Sequence, residues 1–370
     1  MARTSVGPTR EQVLDALRDV QDPELHKSIV ELDMVREIAV HDGSVSVEAL
    51  LTISGCPLRE TIETSIRDRV AALPGVNRVN VTLGVMSPEQ RQGLIQKLRG
   101  GETHPTKTSS FLTAESPTRV VAVASGKGGV GKSTVTANLA MALALEGRRV
   151  GVIDADVYGF SIPRMLGISG RPTAIDQMLI PLERDGIRVM SIGFLLPNEN
   201  EAVVWRGPML HKAIVTFISE VHWGDDLEYL LIDLPPGTGD VSLSIAQTLP
   251  AASMLIVTTP QPAAASVAER AAKMAEKVNM DVIGVIENMS GFIPSPGAPP
   301  IYLFGRGGGL RLAEKLGVPL LAEVPLDVAL REGADVGEPV VKAYPDNPAA
   351  QQLRQAARRL VERVPVSARS

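Results

Sequence analysis

The chain has 370 residues, 44% hydrophobic, 21% charged and only 3% aromatic, with a formal net charge of −5. That length predicts two domains with cores built mostly from aliphatic side chains, and the acidic balance speaks against non-specific nucleic-acid binding, which needs surplus cations for the phosphates. No apolar run approaches the ~20 residues of a membrane span, the opening MARTSVGPTREQ lacks the apolar stretch of a secretory signal, and one cysteine, Cys56, excludes an intrachain disulfide and fits a reducing, cytoplasmic compartment.

Residues 1–87 read as a small α+β domain. Thr9 and Gln12 have capping-box spacing, and Val13, Leu14, Leu17 and Val20 follow at helical intervals. Met34–Val40 and Ser44–Leu51 are β-like runs joined by His41-Asp42-Gly43, a hairpin signal. After Ser54-Gly55-Cys56-Pro57 comes a second helical pattern through Ile62, Ile66 and Val70, closed by Leu73-Pro74-Gly75, and Val76–Val85 alternates as a third strand. Residues 88–117 change character. Their Gly-, Ser- and Thr-rich centre has little to bury, and the whole segment is expected to be a flexible linker.

From residue 118 onward, short apolar runs alternate with helical stretches. Val120–Ala124, Val150–Ile153, Tyr229–Leu234, Met254–Thr258 and Val282–Ile286 suit parallel strands covered on both faces. The predicted fold class is α/β, a doubly wound and mostly parallel P-loop NTPase sheet. The Pro- and Gly-rich stretch between Gly291 and Gly309 is expected to be a loop.

The first of these strands runs into Gly126-Lys127-Gly128-Gly129-Val130-Gly131-Lys132-Ser133-Thr134 and then a helix, which is the Walker A pattern in its strand–loop–helix setting. Its glycines let backbone N–H groups converge on phosphate oxygens at a helix N-terminus. Lys132 is expected to bridge the β- and γ-phosphates of ATP, and Ser133 to bind Mg²⁺. Asp233 closes an apolar run in a Walker B placement, on Mg²⁺ directly or through water. Asp154 and Asp156 follow a strand at its C-terminal end, where open α/β sheets keep their ligands. Two readings stand for this pair: one holds a Mg²⁺-bound water while the other orients the attacking water, or they cap the next helix.

Lys127, at the second position of the loop, resembles the signature lysine of the deviant-Walker-A class, shared by the MinD, ParA and nitrogenase iron-protein ATPases. The resemblance implies a homodimer in which this lysine reaches the partner's nucleotide, with Asp154 positioning water and Asp156 supporting it. Asp154-Ala155-Asp156-Val157-Tyr158-Gly159, Trp205-Arg206-Gly207-Pro208-Met209, Leu234-Pro235-Pro236-Gly237-Thr238-Gly239-Asp240, Thr259-Pro260-Gln261 and Glu287-Asn288-Met289-Ser290 together resemble the Mrp/ApbC family of ATP-binding iron–sulfur cluster carriers. The N-terminal unit resembles the small domain many of those proteins carry. By that resemblance Asn288 contacts adenine, the dimer hydrolyses ATP slowly, and clusters pass to target apoproteins alongside other assembly factors, with no membrane or nucleic-acid partner.

One departure is plain. Where the family places a Cys-x-x-Cys, this chain has Pro294 and Gly297, neither of which can bind iron. The bridging cluster site is therefore absent, and Cys56 is the remaining candidate cluster ligand. Two alternatives follow: an assembly scaffold or adaptor ATPase that holds no cluster, and a MinD/ParA-type positioning ATPase. The basic C-terminal helix pattern from Ala350 to Val364 permits membrane contact in the latter, but its apolar side lacks bulky aromatics and suits docking on its own domain.

Overall fold

The structure, a computed structural model, describes residues 7–53, 55, 58–99, 116–157, 159–196, 207–237, 240–249, 251–295 and 298–366. Cys56, Tyr158, Trp205, Arg206, Thr238, Gly239 and Gly297 lie outside the described residues.

Helix α1 (Arg10–Leu17) opens with the expected capping box: Thr9 N donates to Gln12 Oε1 at 2.8 Å, and Gln12 N to Thr9 Oγ1 at 3.2 Å. Strands β1 (Val35–His41) and β2 (Ser44–Leu51) pair antiparallel. Asp42 and Gly43 between them both have positive φ, 45° and 78°, as a two-residue turn matched to strand twist requires. Helix α2 (Arg59–Ala71) buries Ile62, Ile66 and Val70 and leads to β3 (Arg78–Val85), parallel to β2.

The expected linker does not begin at residue 88. Residues Pro88–Leu98 form helix α3, started by a Ser87–Gln90 capping box and Pro88 in its first turn, with Leu94 and Leu98 buried. The Gly-, Ser- and Thr-rich composition that suggested a linker lies beyond this helix, and its boundary was drawn too early. The remainder, residues 100–115, lies outside the described residues.

The chain continues through β4 (Arg119–Ser125), α4 (Lys132–Leu145), β5 (Val150–Asp154), α5 (Ile162–Met165), β6 (Thr173–Ile175), β7 (Met178–Ile180), β8 (Leu182–Arg184) and β9 (Ile187–Ser191). Next come α6 (Gly207–Ser219), β10 (Tyr229–Asp233), α7 (Asp240–Gln247), β11 (Ser253–Thr258), α8 (Pro262–Lys277) and β12 (Val282–Phe292). The last elements are α9 (Gly308–Leu316), β13 (Leu320–Leu326), α10 (Val328–Val336), α11 (Val340–Ala343) and α12 (Pro348–Arg363).

Eight strands make the large sheet in the order β13-β12-β11-β4-β10-β5-β9-β8, parallel except where β8 folds back on β9. Strands β4, β5 and β10 are almost wholly buried, which explains their continuous apolar runs. Strand β13 carries Pro325 and sits at an edge, where a missing N–H is tolerated.

The chain forms two compact units, and their division differs from the expected one. The short hairpin β6–β7 belongs with the N-terminal unit although its sequence lies within residues 118–370. Its Ile175, Met178 and Ile180 are buried in one core with Val13, Ile29, Ile62 and Leu94. Thr173 Oγ1 donates to Glu24 Oε1 at 2.7 Å, and Arg91 pairs with Asp176 at 3.0 Å. These bonds fix the hairpin to the elements around it.

In the larger unit α12 packs on α4 and β13 through Ala349, Ala350, Leu353, Ala356, Ala357 and Leu360, all fully buried. Arg358 pairs with Glu146 at 2.8 Å, and Arg359 donates to the Leu321 carbonyl at 2.9 Å. The apolar stripe of this helix is consumed by its own unit. No helix among the described residues is long and apolar enough to cross a membrane.

Candidate nucleotide site

Parallel register brings the site together. Asp233, the last residue of β10, lies opposite Asp154 of β5 on one side and Val123 of β4 on the other. Ser125 ends β4 beside them, so the phosphate loop and both acidic residues share the C-terminal edge of adjacent strands. The cleft there is lined by Lys127 to Thr134, Asp156, Ser161, Met165 and Pro236.

The loop's shape rests on glycine at two positions. Gly129 and Gly131 have φ of 77° and 81°, a region most side chains avoid. At Gly131 a Cβ would also fall 2.2 Å from Asn288 Nδ2. Helix α4 starts directly after Gly131 without a side-chain cap, which leaves its first N–H groups facing the cleft.

Lys132 and Asp233 form a buried ion pair at 2.8 Å, with side chains only 5% and 0% exposed. Asp233 Oδ2 also accepts from Ser133 Oγ at 2.5 Å, and Oδ1 from Thr136 Oγ1 at 2.9 Å. The Asp233 carboxylate is therefore held on both oxygens. Thr136 was not expected at the site; its signal was its place one turn beyond Ser133, on the same helical face.

Asp154 is fully buried. Its Oδ2 accepts from Ser161 N at 2.9 Å, Ile162 N at 3.1 Å and Ser191 Oγ at 3.3 Å, while Oδ1 accepts from Asp156 N at 3.2 Å. One oxygen thus takes the backbone N–H groups of Ser161, the N-cap residue of α5, and of Ile162 after it. Burial, and after it the charge of Asp233, pushes the Asp154 carboxyl up to about 7, against the pull of the Ile162 N–H, Lys132 and the Asp156 N–H. Asp156 is 8% exposed and lines the cleft.

Asn288 is buried in β12, and its Nδ2 donates to the Val130 carbonyl at 2.9 Å. The amide braces the phosphate loop. Lys127 Nζ donates to Gln261 Oε1 at 3.0 Å. Glu287, fully buried beside Asn288, accepts from Gly309 N and Ser290 Oγ, both at 2.6 Å, and so ties β12 to the start of α9.

No group of three or more His, Cys, Asp or Glu side chains among the described residues has the arrangement of a metal site. Pro294 is exposed, and β12 ends two residues before it. The Pro- and Gly-rich stretch that follows is largely irregular as expected, with one bridge between Phe292 and Ile301, and α9 begins at Gly308.

Comparisons with known proteins agree with this geometry. A family model described as NUBPL iron-transfer P-loop NTPase matches residues 116–361, and one described as iron-sulfur cluster assembly protein matches residues 10–83. The iron-sulfur cluster carrier protein of Mycobacterium tuberculosis is 48% identical, across 96% of this chain and 94% of its own length. That of Bacillus subtilis is 43% identical across 85% of this chain and 88% of its own. Among solved structures, a nucleotide-binding protein of Archaeoglobus fulgidus in complex with ADP is 39% identical, covers 64% of this chain and 96% of its own, and superposes with a TM-score of 0.55. The cell division ATPase MinD of Pyrococcus furiosus, 24% identical over 66% of this chain and 98% of its own with a TM-score of 0.50, shares the fold. With one model matched in each unit and close relatives along nearly its whole length, the chain belongs to the NUBPL-type iron-transfer P-loop NTPases, the family of the iron–sulfur cluster carrier proteins.

Proposed function

We propose that this protein binds and hydrolyses ATP as a homodimer and uses that cycle to load or release an iron–sulfur cluster on target apoproteins. The observation that carries the nucleotide half is the convergence of Lys132 and Ser133 on Asp233, at 2.8 and 2.5 Å, at the mouth of a glycine loop. The cargo half is supported by the relatives named iron-sulfur cluster carrier protein, which align with both units.

The residues fit ATP and Mg²⁺. Ser133 Oγ and the Asp233 carboxylate are hard oxygen donors, the kind Mg²⁺ takes, and they would hold the ion against the phosphates, where it supplies neutralising charge. Phosphate oxygens compete with Asp233 for the Lys132 ammonium, so this lysine turns from one anion to the other as nucleotide enters. Thr136 keeps the carboxylate aimed while that exchange occurs. Asp154 positions the attacking water, and its raised affinity for a proton suits a group that takes one up. Asp156 supports it, and Lys127 stabilises charge on the partner's nucleotide. Asn288 holds the loop through Val130, the side of the nucleotide site on which we place adenine. Hydrolysis is slow and requires the dimer, since each site lacks Lys127 until the partner supplies it.

A specific observation favours one second reading. Exposed Pro294 stands where a cluster ligand would be, which suits an assembly scaffold that drives partners without holding iron. Anaerobic reconstitution of wild type and Cys56→Ser, with iron and sulfide counted per dimer, separates the two. A stoichiometric, transferable cluster lost in the variant establishes the carrier and its ligand. No cluster in either protein, with MgATP still hydrolysed, establishes the scaffold.

A further inference from the structure

The two loop lysines are treated differently by the fold. Lys132 is neutralised by Asp233, whereas Lys127 makes no ion pair among the described residues and has the neutral amide of Gln261 as its acceptor, at 3.0 Å. Gln261 is the N-cap residue of α8, yet its side chain makes no capping bond to the helix. Its amide oxygen serves the lysine, while the Gln261 backbone carbonyl takes the N–H groups of Ala264 and Ala265 in the first turn.

The position of that amide is set by tight packing. A Cβ at Gly126 would lie 2.4 Å from Ala268 N and from the Val267 carbonyl carbon, so α8 rests directly on the phosphate loop. A Cβ at Gly308 would lie 2.4 Å from the Pro260 carbonyl oxygen, so α9 presses on the residue before Gln261. Gln261 is thereby fixed relative to Lys127.

We propose that Gln261 is a positioning residue for Lys127, a neutral and releasable acceptor that holds the ammonium within its own protomer until a partner's phosphate claims it. This rests on the reading that Lys127 acts on the partner's nucleotide. Two physical facts favour release. An amide withholds the full charge a carboxylate would offer, so the bond is the weaker kind. The ammonium also sits by the N-terminal, positive end of the α8 dipole, which disfavours a cation. A phosphate therefore outcompetes Gln261, whereas a carboxylate at the same place would not yield so readily.

The test is steady-state MgATP hydrolysis by the full chain carrying Gln261→Glu, Gln261→Ala or Lys127→Ala, with fluorescent ADP binding measured for each. A glutamate at a helix N-terminus is well tolerated, so Gln261→Glu keeps the fold. We expect it to lower kcat about tenfold with KM within about twofold of wild type, as a charge-assisted bond outweighs a neutral one, and the loss to shrink as salt screens the new pair. Gln261→Ala is expected to raise kcat, since the lysine is no longer held back. Equal, salt-insensitive losses in both Gln261 variants would mark the residue as structural and overturn the proposal. So would wild-type kcat in Gln261→Glu while Lys127→Ala is inactive. Full activity in Lys127→Ala would instead refute the role of the lysine itself.

Discussion

If the hairpin β6–β7 is part of the N-terminal core, shortening one of its side chains must loosen strands more than a hundred residues away in sequence. Ile175 is 1% exposed and packed among the apolar side chains of that core, so Ile175→Ala removes three carbons from a closed site. Such truncations cost ~2–5 kcal/mol, the spread reflecting how far the cavity collapses. A unit of this size holds ~5–15 kcal/mol in all, so a loss of about 3 kcal/mol lowers its own midpoint by ~12–24 °C. Native-state hydrogen exchange with peptide resolution is the assay, because it reads each segment separately. Amides of Val35–His41 and Ser44–Leu51 should lose protection by a factor of ~100, the equivalent of about 3 kcal/mol, while β4 peptides keep theirs. If β1 and β2 stay fully protected and only residues 173–180 exchange faster, the hairpin is an appendage and the reasoning fails.

Two further outcomes follow from buried charge. Asp233→Ala strands the Lys132 ammonium at 5% exposure, a loss of ~3–5 kcal/mol; thermal unfolding should drop sharply without nucleotide, recover disproportionately with ADP, and show little Mg²⁺ dependence, and an unchanged midpoint without nucleotide would refute the pairing. Glu24 is pushed up from its ordinary range by burial, and by the neighbouring Asp22 charge, against the Thr173 hydroxyl bond. The folded state therefore holds this proton more tightly than the unfolded chain, so the penalty sets in as pH rises above the unfolded value of ~4.3 and is complete above the folded one. Glu24→Gln keeps an acceptor for Thr173 and removes the penalty; protection of β1–β3 should gain over wild type as pH rises from 4 to 7, and a constant difference would disprove it.

Much of the site was legible because its chemistry is local in sequence. The phosphate loop needs glycine at fixed positions and a lysine and serine at the start of a helix, so Gly126 to Thr134 declare themselves. The five buried strands of the parallel sheet also declared themselves, since burial on both faces demands unbroken apolar runs. Asp154 and Asp233 could be placed at strand ends by the same argument, but not their mutual effect. Only the fold buries Asp154, which does most to raise its carboxyl, and only the register of β5 against β10 adds the Asp233 charge beside it.

Other features depended on tertiary structure for equally physical reasons. Strands β6–β9 are three to five residues long, too short for periodicity to show, and where β6–β7 packs is decided by which apolar surface is left uncovered. Helix α3 was hidden by the Gly-, Ser- and Thr-rich stretch beyond it, whose composition masks the boundary, while Leu94 and Leu98 carry its buried face. Gln261 and Lys127 are separated by 134 positions, and nothing in either's neighbourhood announces the other. The sequence by itself determined which groups could bind a nucleotide, because that depends on residue type and spacing along one turn of chain. Which groups meet, what each carboxyl's proton affinity becomes, and which unit owns the hairpin were decided by packing, because contact and desolvation exist only once distant segments close on one another.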